Sequence, residues 1–248
     1  MALIKRFAWG VYDHLWPLIG FNLLWTLLSL PWLAVGGLLV AVVLKAGGEL
    51  ALPIRVAGLL LATELVLFAP PGLLLWLAGR NWAEDRPAEL RALLREVRRF
   101  GLRAQLLGLL LWGISAVLLV NIFFYQHLGG WLGLLLSGTM LWLLVALLLT
   151  SVFCFPVLLA QDGGVWPVVK QSFLLALDNP RLALGLLLSS LLFLGIGALS
   201  GVGLCCGVLA ALALLVSLYF RQLCSKYSGE ELPPTPQRHW RELIRPWE

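Results

Sequence analysis

The chain has 248 residues, 60% of them hydrophobic and only 12% charged, with a mean hydropathy of +0.92. A soluble domain averages about 45–50% apolar and about 25% charged residues, so a soluble globular fold does not fit and a lipid bilayer is the simpler solvent. The net charge of +5 sits in loops beside apolar runs, which points to anionic lipid headgroups and not to nucleic acid.

Residues 1–14 carry Lys5, Arg6, Trp9 and Tyr12, with Phe7, Val11 and Leu15 on one helical face, as in a short interfacial helix. Asp13 and His14 interrupt this start, and the apolar run from Leu15 is too long for the core of a cleavable signal peptide. It is expected to stay as a membrane anchor. That run reaches Leu44 and contains Pro31, where a kink is expected. A polar break over 45–53 leads to a second run, Ile54 to Gly79, with Glu64 deep inside it and Pro70-Pro71-Gly72 interrupting it.

Arg80 to Arg103 is the most charged stretch, with seven arginines. Asp85 is placed to cap a helix with Pro87 in its first turn. Leu90, Leu93, Leu94, Val97 and Phe100 then recur at helical spacing, which predicts an amphipathic helix on the membrane surface, separate from the next span. The third run is Ala104 to Leu128 and the fourth Trp131 to Ala160, joined by a tight turn at His127-Leu128-Gly129-Gly130. Pro156 is expected to break the end of the fourth run. A second surface helix is predicted around Val165 to Leu177, ended by Asn179-Pro180. Leu182 to Leu199 and Gly203 to Phe220 form a last hairpin, and a polar tail follows.

The fold class that follows is all-α, a polytopic transmembrane bundle of about six spans with amphipathic helices on the cytoplasmic surface. The spans fall at about 15–37, 54–79, 104–128, 131–160, 182–199 and 203–220, inside a transmembrane domain over 1–227. Residues 228–248 form a cytoplasmic tail. With both termini inside, sixteen of the eighteen Lys and Arg lie on the cytoplasmic side and only Lys45 and Arg55 fall outside, as the positive-inside tendency requires. Trp16, Trp76, Trp82 and Trp166 mark inner boundaries and Trp131 an outer one. Phe68-Ala69-Pro70-Pro71 and Phe153-Cys154-Phe155-Pro156 form a faint internal echo of a parallel repeat.

Among candidate functional residues, Glu64 is the sharpest, because an acid at mid-depth costs about 2.5–3.5 kcal/mol on insertion scales and must face protein, water or a partner. It reads either as a proton or cation site or as a glutamate bonded to a neighbouring helix through Asn22, Asn121, Ser137 or Thr139. Asn22 and Asn121 read as bonds that hold helices together. Arg91, Arg95, Arg98, Arg99 and Arg103 read as a docking surface for lipid headgroups or a partner. Gly197, Gly201, Gly203 and Gly207 have close-contact spacing, and Pro233 and Pro236 form a P-x-x-P tail motif. The four cysteines, Cys154, Cys205, Cys206 and Cys224, and three scattered histidines make no metal or haem spacing. No cofactor and no catalytic pair is read, which argues against an enzyme.

Asn22-Leu23-Leu24-Trp25 followed by Ser29-Leu30-Pro31 resembles the first span of the YesL-like bacterial membrane proteins, a domain of unknown function. Pro71 with Leu73 to Leu77, the arginine-rich loop, Phe155-Pro156-Val157-Leu158-Leu159-Ala160 and Val169 to Leu187 resemble that family's later blocks, so the likeness covers most of 1–227. About thirty extra residues, including Arg55 and Glu64, follow the first-span proline here, so the family assigns Glu64 no role. The resemblance implies a multi-pass plasma-membrane protein encoded near carbohydrate uptake genes, and no activity. The leading expectation is an accessory to a carbohydrate uptake system, with ABC-type permease subunits or a second copy as partner. The alternative is a small transporter or channel that uses Glu64.

Overall fold

A computed structural model describes residues 2–45, 51–161, 163–200 and 207–229. They form ten α-helices and no strand: α1 (Ala2–Asp13), α2 (Leu15–Leu28), α3 (Leu30–Leu44), α4 (Ala51–Leu67), α5 (Gly72–Ala83), α6 (Leu90–Leu128), α7 (Gly130–Ala160), α8 (Val165–Asp178), α9 (Pro180–Ser200) and α10 (Val208–Ser228). Four of them, α6, α7, α9 and α10, are long and apolar enough to cross a membrane by themselves. The count rises to six if α2 with α3 and α4 with α5 are each one sharply bent span. The all-helical bundle therefore stands. The expectations for the polar tail and for Gly201, Gly203, Cys205, Cys206, Pro233 and Pro236 fall outside the described residues.

The two bent pairs have distinct local causes. Pro31 sits in the first turn of α3, where its missing N–H is harmless, and Ser29 is the N-cap residue without a side-chain capping bond. Pro70 and Pro71 together remove two successive donors and bias the residues before them away from helix, so α4 stops at Leu67 and α5 starts at Gly72. Pro156 behaves differently from expectation. It lies buried inside α7, which continues through it to Ala160. One proline forfeits one backbone bond, whereas ending the helix in an apolar surrounding would orphan several.

The predicted surface helix ahead of the third span is also corrected. Leu90 to Leu128 is one helix of 39 residues, about 58 Å long. The change from arginines to leucines marks a change of solvent, not a change of backbone. Asp85 does not cap that helix. It sits at φ 58 and ends α5, with Asp85 N–H bonded to the Trp82 carbonyl and Arg86 N–H to the Asn81 carbonyl. This is the Schellman pattern, in which the residue after the helix end must accept a left-handed backbone, and a short Asp side chain tolerates it.

The chain divides into two compact units, 1–26 with 74–96 and 189–248, and 27–73 with 97–188. In the first, α1 packs on α10, Trp9 is buried, and Phe7 meets Phe193 edge to face. α1 is thus a packed element and not only an interfacial one. Trp82, placed by sequence at a membrane boundary, is buried instead, stacked on His14 and edge-on to Phe21. Arg6 and Arg221 both approach the Asp85 carboxylate, at 3.8 and 3.7 Å. Arg221 also donates to the Ala83 carbonyl, so α1, α10 and the end of α5 are tied at one place.

In the second unit, α3 packs against α4 and α7 against α8. The α6–α7 turn uses two left-handed glycines, Gly129 and Gly130, as its dipeptide signature predicts. α8 forms as read from sequence and packs on α7; Val168, Ser172 and Ala176 are buried, while Trp166, Phe173 and Leu177 are exposed. Phe68 stacks on Phe155 at 5.8 Å, which brings the two segments of the internal echo into contact.

Glycine sets how closely α6 approaches the α4–α5 break. A Cβ on Gly108 would lie 2.6 Å from the Phe68 carbonyl oxygen, whereas one on Gly113, five residues on, would meet nothing. Overpacking against backbone costs about 1–3 kcal/mol, so Gly108→Ala is expected to lower the thermal midpoint in detergent clearly. Gly113→Ala, in the same helix, is expected to leave it within the few tenths of a kcal/mol usual for neutral sites, about 0.5 at most. Equal midpoints for the two variants would refute the close contact.

Candidate functional site

The second unit holds a polar pair inside an apolar seam. α4 turns Ala57, Leu61, Glu64 and Phe68 toward α6, at a spacing that keeps one helical face in line. Ala57 packs with Leu119, Ile122 and Leu144. The Leu61 carbonyl accepts from Trp112 Nε1–H at 3.0 Å, Glu64 Oε1 accepts from Ser115 Oγ–H at 2.9 Å, and Phe68 lies against Gly108. Ala57 lies at Leu119 and Ile122 and Phe68 at Gly108, so the two helices run antiparallel, and the Trp112 and Ser115 bonds cross between them. The opposite side of α4 is lined with small residues. Gly36 of α3 faces Ala62 and Val66, and Gly58 faces Val43, so α3 packs closely on this side of α4, while Val56, Leu59 and Thr63 stay exposed on another.

Glu64 is only 5% exposed. Its Oε2 is buried and has no hydrogen-bond partner among the described residues. The partner differs from the sequence-based list. Asn121 Nδ2–H donates to the Val117 carbonyl of its own helix, and Thr139 Oγ1–H to that of Leu135. Ser115 escaped notice because a lone serine in an apolar run has no signature. Only the antiparallel register of α4 and α6 brings it to Glu64.

Depth follows from the exposed face of α6. Leu102 is 73% exposed and Val120 67%, and with Leu106, Leu109, Phe124 and Leu128 they form an apolar stripe at helical spacing. From Leu102 to Leu128 the stripe is about 40 Å long, enough for a hydrocarbon core of about 30 Å with tilt or edge. Ser115 lies midway along it, and Glu64 bonds Ser115, so the carboxyl sits near the centre of the apolar layer.

Arg91, Arg95 and Arg98 stand on the same face of α6, at i, i+4 and i+7, one turn before Leu102. All three are exposed and make no hydrogen bond or ion pair among the described residues. Arg99 is exposed and lies over the Phe100 ring at 5.3 Å, and Arg103 is half-buried. Arg80 is internal, bonded to Glu96 at 2.6 Å, and Arg86 is paired with Glu84 at 2.9 Å.

Asn22 and Asn121, predicted alike, part company. Asn121 serves its own helix only. Asn22 is fully buried, and its Oδ1 accepts from the Ala210 N–H at 3.3 Å. Ala210 is the third residue of α10, whose N-cap is Gly207 at φ 97, with no side chain to cap the orphan donors. Asn22 therefore caps α10 from another helix. The Gly207 contact with the Leu18 backbone allows that approach.

No group of three or more His, Cys, Asp or Glu residues that could hold a metal ion occurs among the described residues. No family model matches the sequence, and no curated protein or solved structure is significantly similar to it.

Removing an N-cap acceptor costs about 0.5–2 kcal/mol. Asn22→Ala is expected to lower the thermal midpoint, and Asn121→Ala to leave it unchanged, in a paired melting experiment on purified protein. A larger loss for Asn121→Ala would reverse the assignment.

Proposed function

We propose that this chain is a non-enzymatic, multi-pass protein of the bacterial plasma membrane, with both termini cytoplasmic, that serves as an accessory to a carbohydrate uptake system. One observation carries the docking role. Arg91, Arg95 and Arg98 line one exposed helix face without internal partners, next to the apolar stripe that begins at Leu102. Arg6, Arg80, Arg86 and Arg221, by contrast, are engaged in ion pairs within the protein.

An arginine row just outside the hydrocarbon stands at headgroup level, where each charge near anionic lipid contributes about 1 kcal/mol. The guanidinium groups are also free to pair with carboxylates of a permease subunit. The orientation rests on the balance of Lys and Arg between loops, and the uptake system on the YesL-like resemblance.

The test is the triple variant Arg91→Gln, Arg95→Gln, Arg98→Gln in the native host. Membrane insertion is expected to match wild type, while permease subunits that co-purify with wild type are lost from the variant. Recovery of wild-type amounts of the same subunits would sink the docking role. Asp85→Asn is the contrasting variant. It removes a carboxylate that Arg6 and Arg221 share, so it is expected to lower thermal stability without altering which subunits co-purify at low temperature.

A further inference from the structure

The surroundings of Glu64 have a chemical consequence independent of docking. The helices packed on α4 supply no countercharge. α3 has no Asp, Glu, His, Lys or Arg from Leu30 to Leu44, α6 has none over 104–122, and α7 has none over its whole length. The one titratable group on α7 is the Cys154 thiol, which donates to the Thr150 carbonyl at 3.4 Å. On α4 itself the nearest charge is Arg55, nine residues away and about 13 Å along the axis. A carboxylate at Glu64 would hold a full charge in hydrocarbon against one neutral hydroxyl donor, and buried charges persist only when paired and well hydrogen-bonded.

We propose that Glu64 is a proton-binding site at the centre of the membrane, with Ser115 as its positioning residue. The bound form is the carboxylic acid, in which Ser115 Oγ–H donates to Oε1 and the proton resides on Oε2, the enclosed oxygen. The ligand is a proton and not a metal cation. A hard cation needs several oxygen ligands, and near Glu64 the Ser115 hydroxyl and the Leu61 carbonyl are already engaged with Glu64 and Trp112. Release of the proton leaves a bare carboxylate between α4 and α6, so the seam between these helices depends on the proton being bound.

The sign of the pH effect follows. A group that holds its proton in the folded protein and loses it on unfolding contributes stability that is present at low pH and lost as pH rises. The full chain in lipid nanodiscs is melted across an acid-to-alkaline series, as wild type and as Glu64→Gln. The expected result is a wild-type midpoint that falls at alkaline pH relative to Glu64→Gln. Parallel profiles would overturn the proposal.

Infrared difference spectra on wild type give the second reading and do not require the variant to be stable. A carboxylic-acid C=O band is expected that disappears on alkalinisation and shifts in Ser115→Ala. A carboxylate signature throughout the series would overturn the assignment, as would loss of the acid band on adding sodium at fixed pH. Neither measurement involves Arg91, Arg95 or Arg98, so failure here and failure of the docking role are separable.

Discussion

Hydrocarbon offers a peptide group nothing to bond with, and each unpaired N–H or C=O left in it costs several kcal/mol. That constraint decides where this chain keeps its helices intact and where it lets them break. α7 carries Pro156 in its interior and α6 runs for 39 residues across a boundary between charge and oil. At the α4–α5 break the freed backbone is closed by short-range bonds, Ala69 N–H to Val66 and Gly72 N–H to Ala69, and α6 packs onto it through Gly108. The same rule accounts for Asn22. The start of α10 has a glycine cap that offers no side chain, and the missing acceptor comes from α2.

With no hydrophobic drive between helices in lipid, association rests on close packing and on the few polar bonds that can be made. The contacts here follow that logic. Gly36 and Gly58 let α3 and α4 approach, Gly79 admits the α10 backbone at Ala213, and Gly108 admits Phe68. Polar bonds are placed where the packing is already tight. Trp112 and Ser115 are one turn apart on α6, and their partners, Leu61 and Glu64, are one turn apart on α4. In an antiparallel pair these two bonds cross between the helices, and together they limit how one helix can turn or slide against the other.

The apolar runs were legible because hydropathy reports solvent directly, and the α6–α7 turn was legible because Gly-Gly names a backbone shape. Boundaries set by charge were misleading. The arginine stretch and the third span read as two elements although no residue between Phe100 and Ala104 stops a helix. Pro156 and Pro70-Pro71 also read alike, yet only the tandem pair interrupted its helix. At the site, Glu64 stood out as an acid in a span, and its burial among apolar residues follows from that. Its partner did not stand out, since Ser115 is 51 residues away and is chosen by helix register. Asn22 and Asn121 were indistinguishable for the same reason. A polar side chain in a span can serve its own helix or a neighbour, and composition does not say which.

A purely structural seam would have little use for an acid at position 64. Glutamine has the same shape, would accept the Ser115 bond through its carbonyl, and carries no charge that desolvation could penalise. Glutamate adds one property, a proton that can leave. Keeping it requires that the carboxyl be fixed by Ser115, shielded by α3 and α6, and set far from any countercharge that would favour the ionised form. The same separation of roles applies to the arginines. Those near carboxylates hold the first unit together, and those on the outer face of α6 have nothing to hold. In each case a charged group that packing does not need lies where packing leaves it unanswered, and such groups are the ones to connect to chemistry beyond the fold.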